Sequence, residues 1–204
     1  GNPVRPSVIV AREERRSRRR DPSLRRIVVV GGSQGARGLN EAIRRALPSL
    51  VAYRDRIEWL HVAGEADREA IASAYLEHGF SARVESFVPD LPRSFATADL
   101  AISRAGGTTL AELTAVGLPA VLVPYPHHRD RHQFKNAEAL EEAGAAVVVP
   151  EERLDGARLR ALFDDVLFDE ERLESMERES RRIGRPDAAE RVLELLTELR
   201  GRCP

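Results

Sequence analysis

Three short stretches of this chain combine glycine, hydroxyl, cationic and amide residues at spacings suited to anions and sugars. The first, VVVGGSQGARGLNEAI (28–43), runs three valines into Gly31 and Gly32, then Ser33, Gln34 and Gly35, ahead of a helix-like segment. A glycine-rich turn between a strand and a helix aims backbone N–H groups at one point, and the helix dipole favours negative charge there. The second, ISRAGGTTLAEL (102–113), sets Arg104 at a strand end, Gly106 and Gly107 in the turn, Thr108 and Thr109 at the helix cap and Glu112 within the helix. Two N–H-rich helix starts with an arginine between them suit two phosphates, and the Glu112 carboxylate can accept from two vicinal hydroxyls, as a ribose offers. The third, VPYPHHRDRHQFKNAEAL (123–140), leaves its strand through Pro124 and Pro126 and opens a helix with His132, Gln133 and Asn136. Imidazole and amide groups at such a mouth donate and accept in fixed directions, which is what sugar hydroxyls require.

Other chemistries fit less well. Gly31, Gly32 and Gly35 do not make G-x-G-x-x-G, and the next strand-like segment ends in HVAG without an acid, which disfavours a dinucleotide site. No lysine follows Gly35, so the turn is not a Walker A loop. His127, His128 and His132 are flanked by arginines and do not form a closed metal-ligand set. No Ser-His-Asp or Cys-His spacing supports a nucleophile, and the single cysteine, Cys203, excludes a disulfide framework. Each stretch also has a plainer role: a tight turn for the glycines, a capping or dipole contact for Glu112.

The elements that must position these residues alternate regularly. Strand-like runs lie at 7–10, 26–31, 57–64, 82–88, 99–103, 120–125 and 145–150, with helical periodicity near 36–47, 66–78, 91–97, 108–116, 132–143 and 154–167. Such alternation predicts an α/β fold, a Rossmann-like parallel sheet with helices on both faces, whose ligands bind at the carboxyl ends of the strands. The 204 residues, 42% hydrophobic, suffice for a buried core, and the balance of 32 Lys and Arg against 33 Asp and Glu gives no global reason to expect nucleic acid. No apolar run approaches the roughly 18 residues of a membrane span. A chain opening on Gly1 instead of Met is read as a fragment or a processed product. Two stretches break the rhythm. The arginine-rich AREERRSRRRDPSLRR (11–26) has no apolar face and is expected as a solvated loop, a reading favoured over contact of Arg15, Arg16, Arg18, Arg19 and Arg20 with anionic lipid. Two tail helices are expected at 169–183 and 187–200, the last with an apolar stripe of Ala189, Val192, Leu193, Leu196 and Leu199.

Six segments in order, GNPVR (1–5), GGSQGARGLN (31–40), FVPDL (87–91), SRAGGTTLAEL (103–113), AVGLPAVLVPYP (115–126) and HQFKNAEALEEAGAA (132–146), resemble the carboxyl-terminal domain of the MurG family of N-acetylglucosaminyltransferases. The resemblance covers essentially the whole chain. It implies one half of a glycosyltransferase B (GT-B) fold that binds UDP-GlcNAc for inverting transfer to the lipid I hydroxyl, giving lipid II in peptidoglycan synthesis. By the same resemblance Arg5, Ser33 and the turn at Gly35 lie near the diphosphate, and Phe87 and Val88 hold uracil. Arg104 contacts the nucleotide, Gly107, Thr108 and Thr109 offer N–H groups, Glu112 takes the ribose hydroxyls, and His132 with Gln133 takes the sugar hydroxyls. Many relatives carry glutamine where His132 stands, which bears on sugar recognition. The resemblance further implies no cofactor or metal, and a cytoplasmic protein peripheral to the membrane. Residues 1–183 form the donor domain, and 184–204 form a helix crossing to an amino-terminal acceptor domain that supplies the base, so that this chain holds no catalytic residue and is inactive alone. The alternative is the donor half or subunit of another UDP-sugar glycolipid transferase of the same superfamily.

Overall fold

The computed structural model describes residues 1–31, 36–127 and 131–201. Six strands, β1 (Arg25–Val30), β2 (Ile57–Val62), β3 (Ser81–Glu85), β4 (Leu100–Ser103), β5 (Ala120–Leu122) and β6 (Ala146–Val148), form one wholly parallel sheet in the order β3-β2-β1-β4-β5-β6. The order reverses between β1 and β4, the hallmark of a doubly wound fold. Because side chains alternate across a strand, β1 sends Ile27 and Val29 to one face and Val28 and Val30 to the other, and each pair enters a separate core. The first core packs α2 (Arg37–Ala46), a 3-10 segment Leu47–Arg56, α3 (Arg68–Glu77), α7 (Gly156–Leu162) and the start of α8 (Glu170–Ile183), with Trp59, Tyr75 and Phe163 at its centre. The second packs α1 (Pro6–Ser17), α4 (Leu91–Thr97), α5 (Gly107–Val116) and α6 (His132–Glu142) around Phe95 and Leu113. The final helix, α9 (Ala188–Gly201), leaves Leu193, Leu196 and Leu199 exposed.

Residues 7–17 correct the sequence reading twice. The segment 7–10 is helix, not strand: Pro6 occupies its first turn, and Val8, Ala11 and Arg15 are buried at helical spacing while Ile9 and Val10 face out. The β-branched run misleads because the surface offered by α4 and α5 overrides local preference. Nor is 11–26 a solvated loop. The Arg15 guanidinium is buried and donates to the carbonyls of Gly117 (3.2 Å), Phe95 (3.2 Å) and Ala98 (2.5 Å), with Glu177 at 3.3 Å. Burial pushes its pKa down to about 10, against the partial compensation of Glu177. Gly117 ends α5 with a left-handed φ of 85°, and a Cβ there would lie 2.2 Å from Arg181 Cγ, so its missing side chain makes room for Arg181 of α8.

Asp99 is the hub of this face. Fully buried, its Oδ1 accepts from Arg18 (2.9 Å) and Arg20 (3.1 Å) and its Oδ2 from the Arg26 backbone N–H (2.7 Å). Arg20 reaches on to Glu170 and Glu177, and Arg25 also meets Glu170, so the charged segment is bound to the start of α8. Arg16 and Arg19 alone of the five arginines weighed for lipid contact are exposed. Asp99→Asn leaves the half-buried Arg18 and Arg20 short of a counter-charge and is expected to lower folding stability by about 3 kcal/mol, whereas Glu58→Gln, at the exposed Arg26–Glu58 pair, costs under about 0.5 kcal/mol. Urea denaturation of the two variants measures the contrast.

Candidate nucleotide-binding cleft

In a parallel sheet every strand ends on the same side, so the loops that follow the strands share one edge. Here the loops after β1, β4, β5 and β6 surround a cleft of about 930 Å³ lined by Gly31, Ala36, Arg37, Gly38, Glu41, Arg104, Tyr125, His127, Gln133 and Glu151. It stands at the point where the strand order reverses, and the Arg104 N–H bonds the Val30 carbonyl across that gap at 3.2 Å. Ser33, Gly35 and His128 lie outside the described residues. Gly31 and Ala36, which bracket the glycine turn, both line the cleft, and Ala36 caps α2 with no side-chain acceptor of its own.

Arg104 is 6% exposed. Its Nη1 donates to the carbonyls of Val123 (3.1 Å) and Pro124 (3.4 Å), its Nη2 meets Glu151, and among the described residues its Nε has no acceptor. The guanidinium carbon lies 5.5 Å from the centre of the Tyr125 ring. Arg104 is thus a fixed cation at the cleft wall with donor capacity left over. The start of α6 secures the turn beside it: Gln133 Oε1 accepts from the N–H groups of Ala105 (3.2 Å) and Tyr125 (3.0 Å), and Asn136 Nδ2 donates to the Ala105 carbonyl (3.2 Å). The Gln133 oxygen therefore joins the β4 and β5 loops in addition to lining the cleft. His132 is exposed next to it.

The remaining candidates divide into two groups. Arg5 grips Glu112 through Nε (2.7 Å) and Nη2 (3.1 Å), and this bond to Glu112 raises the arginine's pKa. Asn2 lies over the start of α5, where a Cβ on Gly107 would come within 3.1 Å of its amide nitrogen. Residues 2–5 therefore run along α5, past an exposed Thr108 and a half-buried Thr109. Phe87 and Val88 follow β3 on the same sheet edge, Phe87 at 66% exposure and Val88 packed partly against the second core. Glu151 is the cleft residue that the motif reading missed. It is the residue after Pro150 at the end of VVVPEE, and its only signal in the sequence is its place behind a strand. Among the described residues no group of three or more His, Cys, Asp or Glu could hold a metal ion.

The doubly wound parallel sheet, with a cleft of mixed charge at its switch point, is matched by one half of a GT-B glycosyltransferase. Residues 26–192 match the glycosyltransferase family 28 C-terminal domain, and the chain belongs to that family. It is 44% identical over 200 residues to a protein of Nitratidesulfovibrio vulgaris named UDP-N-acetylglucosamine–N-acetylmuramyl-(pentapeptide) pyrophosphoryl-undecaprenol N-acetylglucosamine transferase, covering 98% of this chain and 54% of that one. A protein of the same name from Anaeromyxobacter dehalogenans is 44% identical over 174 residues, 85% of this chain and 45% of that one. The crystal structure of Acinetobacter baumannii MurG superposes with a TM-score of 0.81 at 30% identity, over 94% of this chain and 55% of its own. The chain spans about half the length of these relatives.

The α2 wall of the cleft is anchored by a buried polar chain. Asn40 on α2 donates through Nδ2 to the Ala63 carbonyl (2.8 Å) and to Asp67 (2.8 Å), so its Oδ1 faces His61 Nε2 (3.0 Å) as an acceptor. His61 Nε2 therefore carries the proton, and Nδ1 accepts from the Tyr75 hydroxyl (3.1 Å). Burial pushes the His61 pKa from its ordinary 6.5 down to about 3. The unfolded chain then takes up the proton first. The stabilisation is fully present above pH 6.5 and is lost as pH falls toward 3, with a slope of up to about 1.4 kcal/mol per pH unit. His61→Gln, which does not titrate, is expected to be less stable than the parent at pH 7 and to close much of that gap by pH 4, as read by denaturant unfolding at each pH.

Proposed function

We propose that this chain is the donor-binding half of an inverting N-acetylglucosaminyltransferase that moves GlcNAc from UDP-GlcNAc to the 4-hydroxyl of lipid I, forming lipid II. The observation that carries the proposal is the placement of Arg104, a buried cation whose Nε has no acceptor among the described residues, at the switch-point cleft beside the start of α2. As the anomeric carbon is attacked and UDP departs, negative charge builds on the β-phosphate, and a fixed guanidinium with helix N-termini stabilises it without reorganising. The names of the relatives support the sugar and the acceptor.

On this reading the turn at Ser33 and Gly35 and the α5 start at Gly107, Thr108 and Thr109 hold the diphosphate. Phe87 offers an exposed ring to uracil, and Val88 offers its backbone. Arg5 uses two of the roughly four lone-pair directions of the Glu112 carboxylate, which leaves two for the ribose hydroxyls. His132 and Gln133 face the sugar. The acceptor and the general base belong to the amino-terminal half of such a transferase, and the exposed stripe of α9 is read as the surface that meets it. The enzyme would work at the cytoplasmic face of the membrane as a peripheral protein; among the described residues no helix is long and apolar enough to cross it.

Calorimetry tests the donor assignment. UDP and UDP-GlcNAc are expected to bind, and ATP and NAD to give no heat of binding. UDP-GlcNAc is expected to bind more tightly than UDP-glucose, the reverse preference marking another UDP-sugar glycolipid transferase. Glu112→Ala is expected to weaken UDP by about 2–3 kcal/mol through loss of two charge-assisted hydrogen bonds. ATP binding as tightly as UDP would show the uracil assignment at Phe87 and Val88 to be wrong.

A further inference from the structure

We infer that Glu151 is an internal counter-anion that occupies the place of a phosphate group while the cleft is empty and competes with the nucleotide for it. The inference rests on the donor-site reading above and adds a residue that weakens binding by design. Glu151 projects from the loop after β6 and pairs with Arg104 Nη2, in the cleft that both residues line. Its carboxylate also lies against the first turn of α2: a Cβ on Gly38 would fall 2.4 and 2.5 Å from its two oxygens, so the missing side chain at Gly38 is what gives the carboxylate room. An arginine and the start of a helix with no acid in its own first turn are the two features an anionic phosphate seeks. A carboxylate carried in from another loop already sits between them.

The pair is asymmetric. The Arg104 side chain is 7% exposed and is tied to the Val123 and Pro124 carbonyls, whereas that of Glu151 is 23% exposed and stands on a single 3-10 turn, Glu151–Arg153. The cation is therefore fixed, and the anion is the partner able to turn toward water. A buried guanidinium cannot be left without counter-charge cheaply, so Glu151 stabilises the empty cleft. A diphosphate entering the cleft must take over Nη2 and displace a like charge. Uridine, with no phosphate, makes no such demand. As UDP departs, return of Glu151 to Arg104 restores the ion pair and so favours release.

The test compares UDP and uridine binding to the 204-residue chain and to Glu151→Gln and Glu151→Ala, with Glu152→Gln as a control for an exposed neighbouring charge. Both Glu151 variants are expected to bind UDP about fivefold more tightly, equivalent to about 1 kcal/mol, with uridine unchanged and Glu152→Gln indistinguishable from the parent. Thermal melting checks that each variant is folded, and the two substitutions differ enough in size that a packing defect in one does not decide the matter. UDP binding that is unchanged or weaker in both folded variants, with uridine still bound, overturns the counter-anion and leaves Glu151 as a group that merely orients Arg104. Failure of the parent and both variants to bind either uridine or UDP overturns the donor-site reading, and this inference with it.

Discussion

The central strands of a parallel sheet have to be dried on both faces, and here β4 and β5 are wholly buried and β1 nearly so, while the edge strand β3 keeps a wet side. That constraint accounts for most of what is unusual in this chain. On one face, α2, α3, α7 and α8 meet the demand with large apolar side chains, Trp59, Tyr75 and Phe163 among them. On the other face the second core is built largely of alanine and valine, and the amino-terminal segment must be pulled in as α1 to complete it. Because α1 is short of apolar residues, the closure is finished by arginines whose heads end on carbonyls and buried carboxylates. Once the sheet is dry, its strand ends emerge along a single edge, and the reversal of order between β1 and β4 opens the only kind of gap in which a ligand can reach several loops at once.

The same solvent exclusion makes charge valuable at that gap. Arg104 is held where water screens it little, so its charge is felt strongly by the groups that line the cleft, Glu151 first among them. Gln133 and Asn136 read no sequence element of their own helix; they hold the backbone of the β4 and β5 loops in register, so that the loop geometry depends on α6 being docked. The His61 chain does similar work for α2, joining it to the end of β2 and to α3 around a single uncharged imidazole. The cleft walls are therefore set by buried polar bonds and not by the loops' own stiffness.

How much of this could be read from residue order follows the range of the interactions. The six strands of the sheet, the places of Gly31 and Arg104 at strand ends and that of Gln133 at a helix start were legible, because short apolar runs and glycine turns are local signals. The helix at 6–17 was not, since Ser7 to Val10 look like a strand in isolation and the surfaces that make them helical are the distant α4 and α5. Arginines 15, 18 and 20 looked solvated because their acceptors are backbone carbonyls and acids some eighty or more residues away. The pairing of Arg5 with Glu112, 107 residues apart, and the place of Glu151 beside Arg104 required the spatial order of the strands, which no window of sequence contains.

The ion-pair face also carries an implication for the order in which the molecule is made. Arg15 and Arg20 are near the beginning of the chain, yet Glu170 and Glu177, the carboxylates that neutralise them, come some 150 residues later. During synthesis the segment of α1 is made before Asp99 and long before Glu170 and Glu177. Drying this face before α8 arrives would bury cations without counter-charge. The two sides of this sheet are thus unequal during folding: β1, β2 and β3 follow one another along the chain and can pair early, whereas the docking of α1 is completed only once α8 has been made.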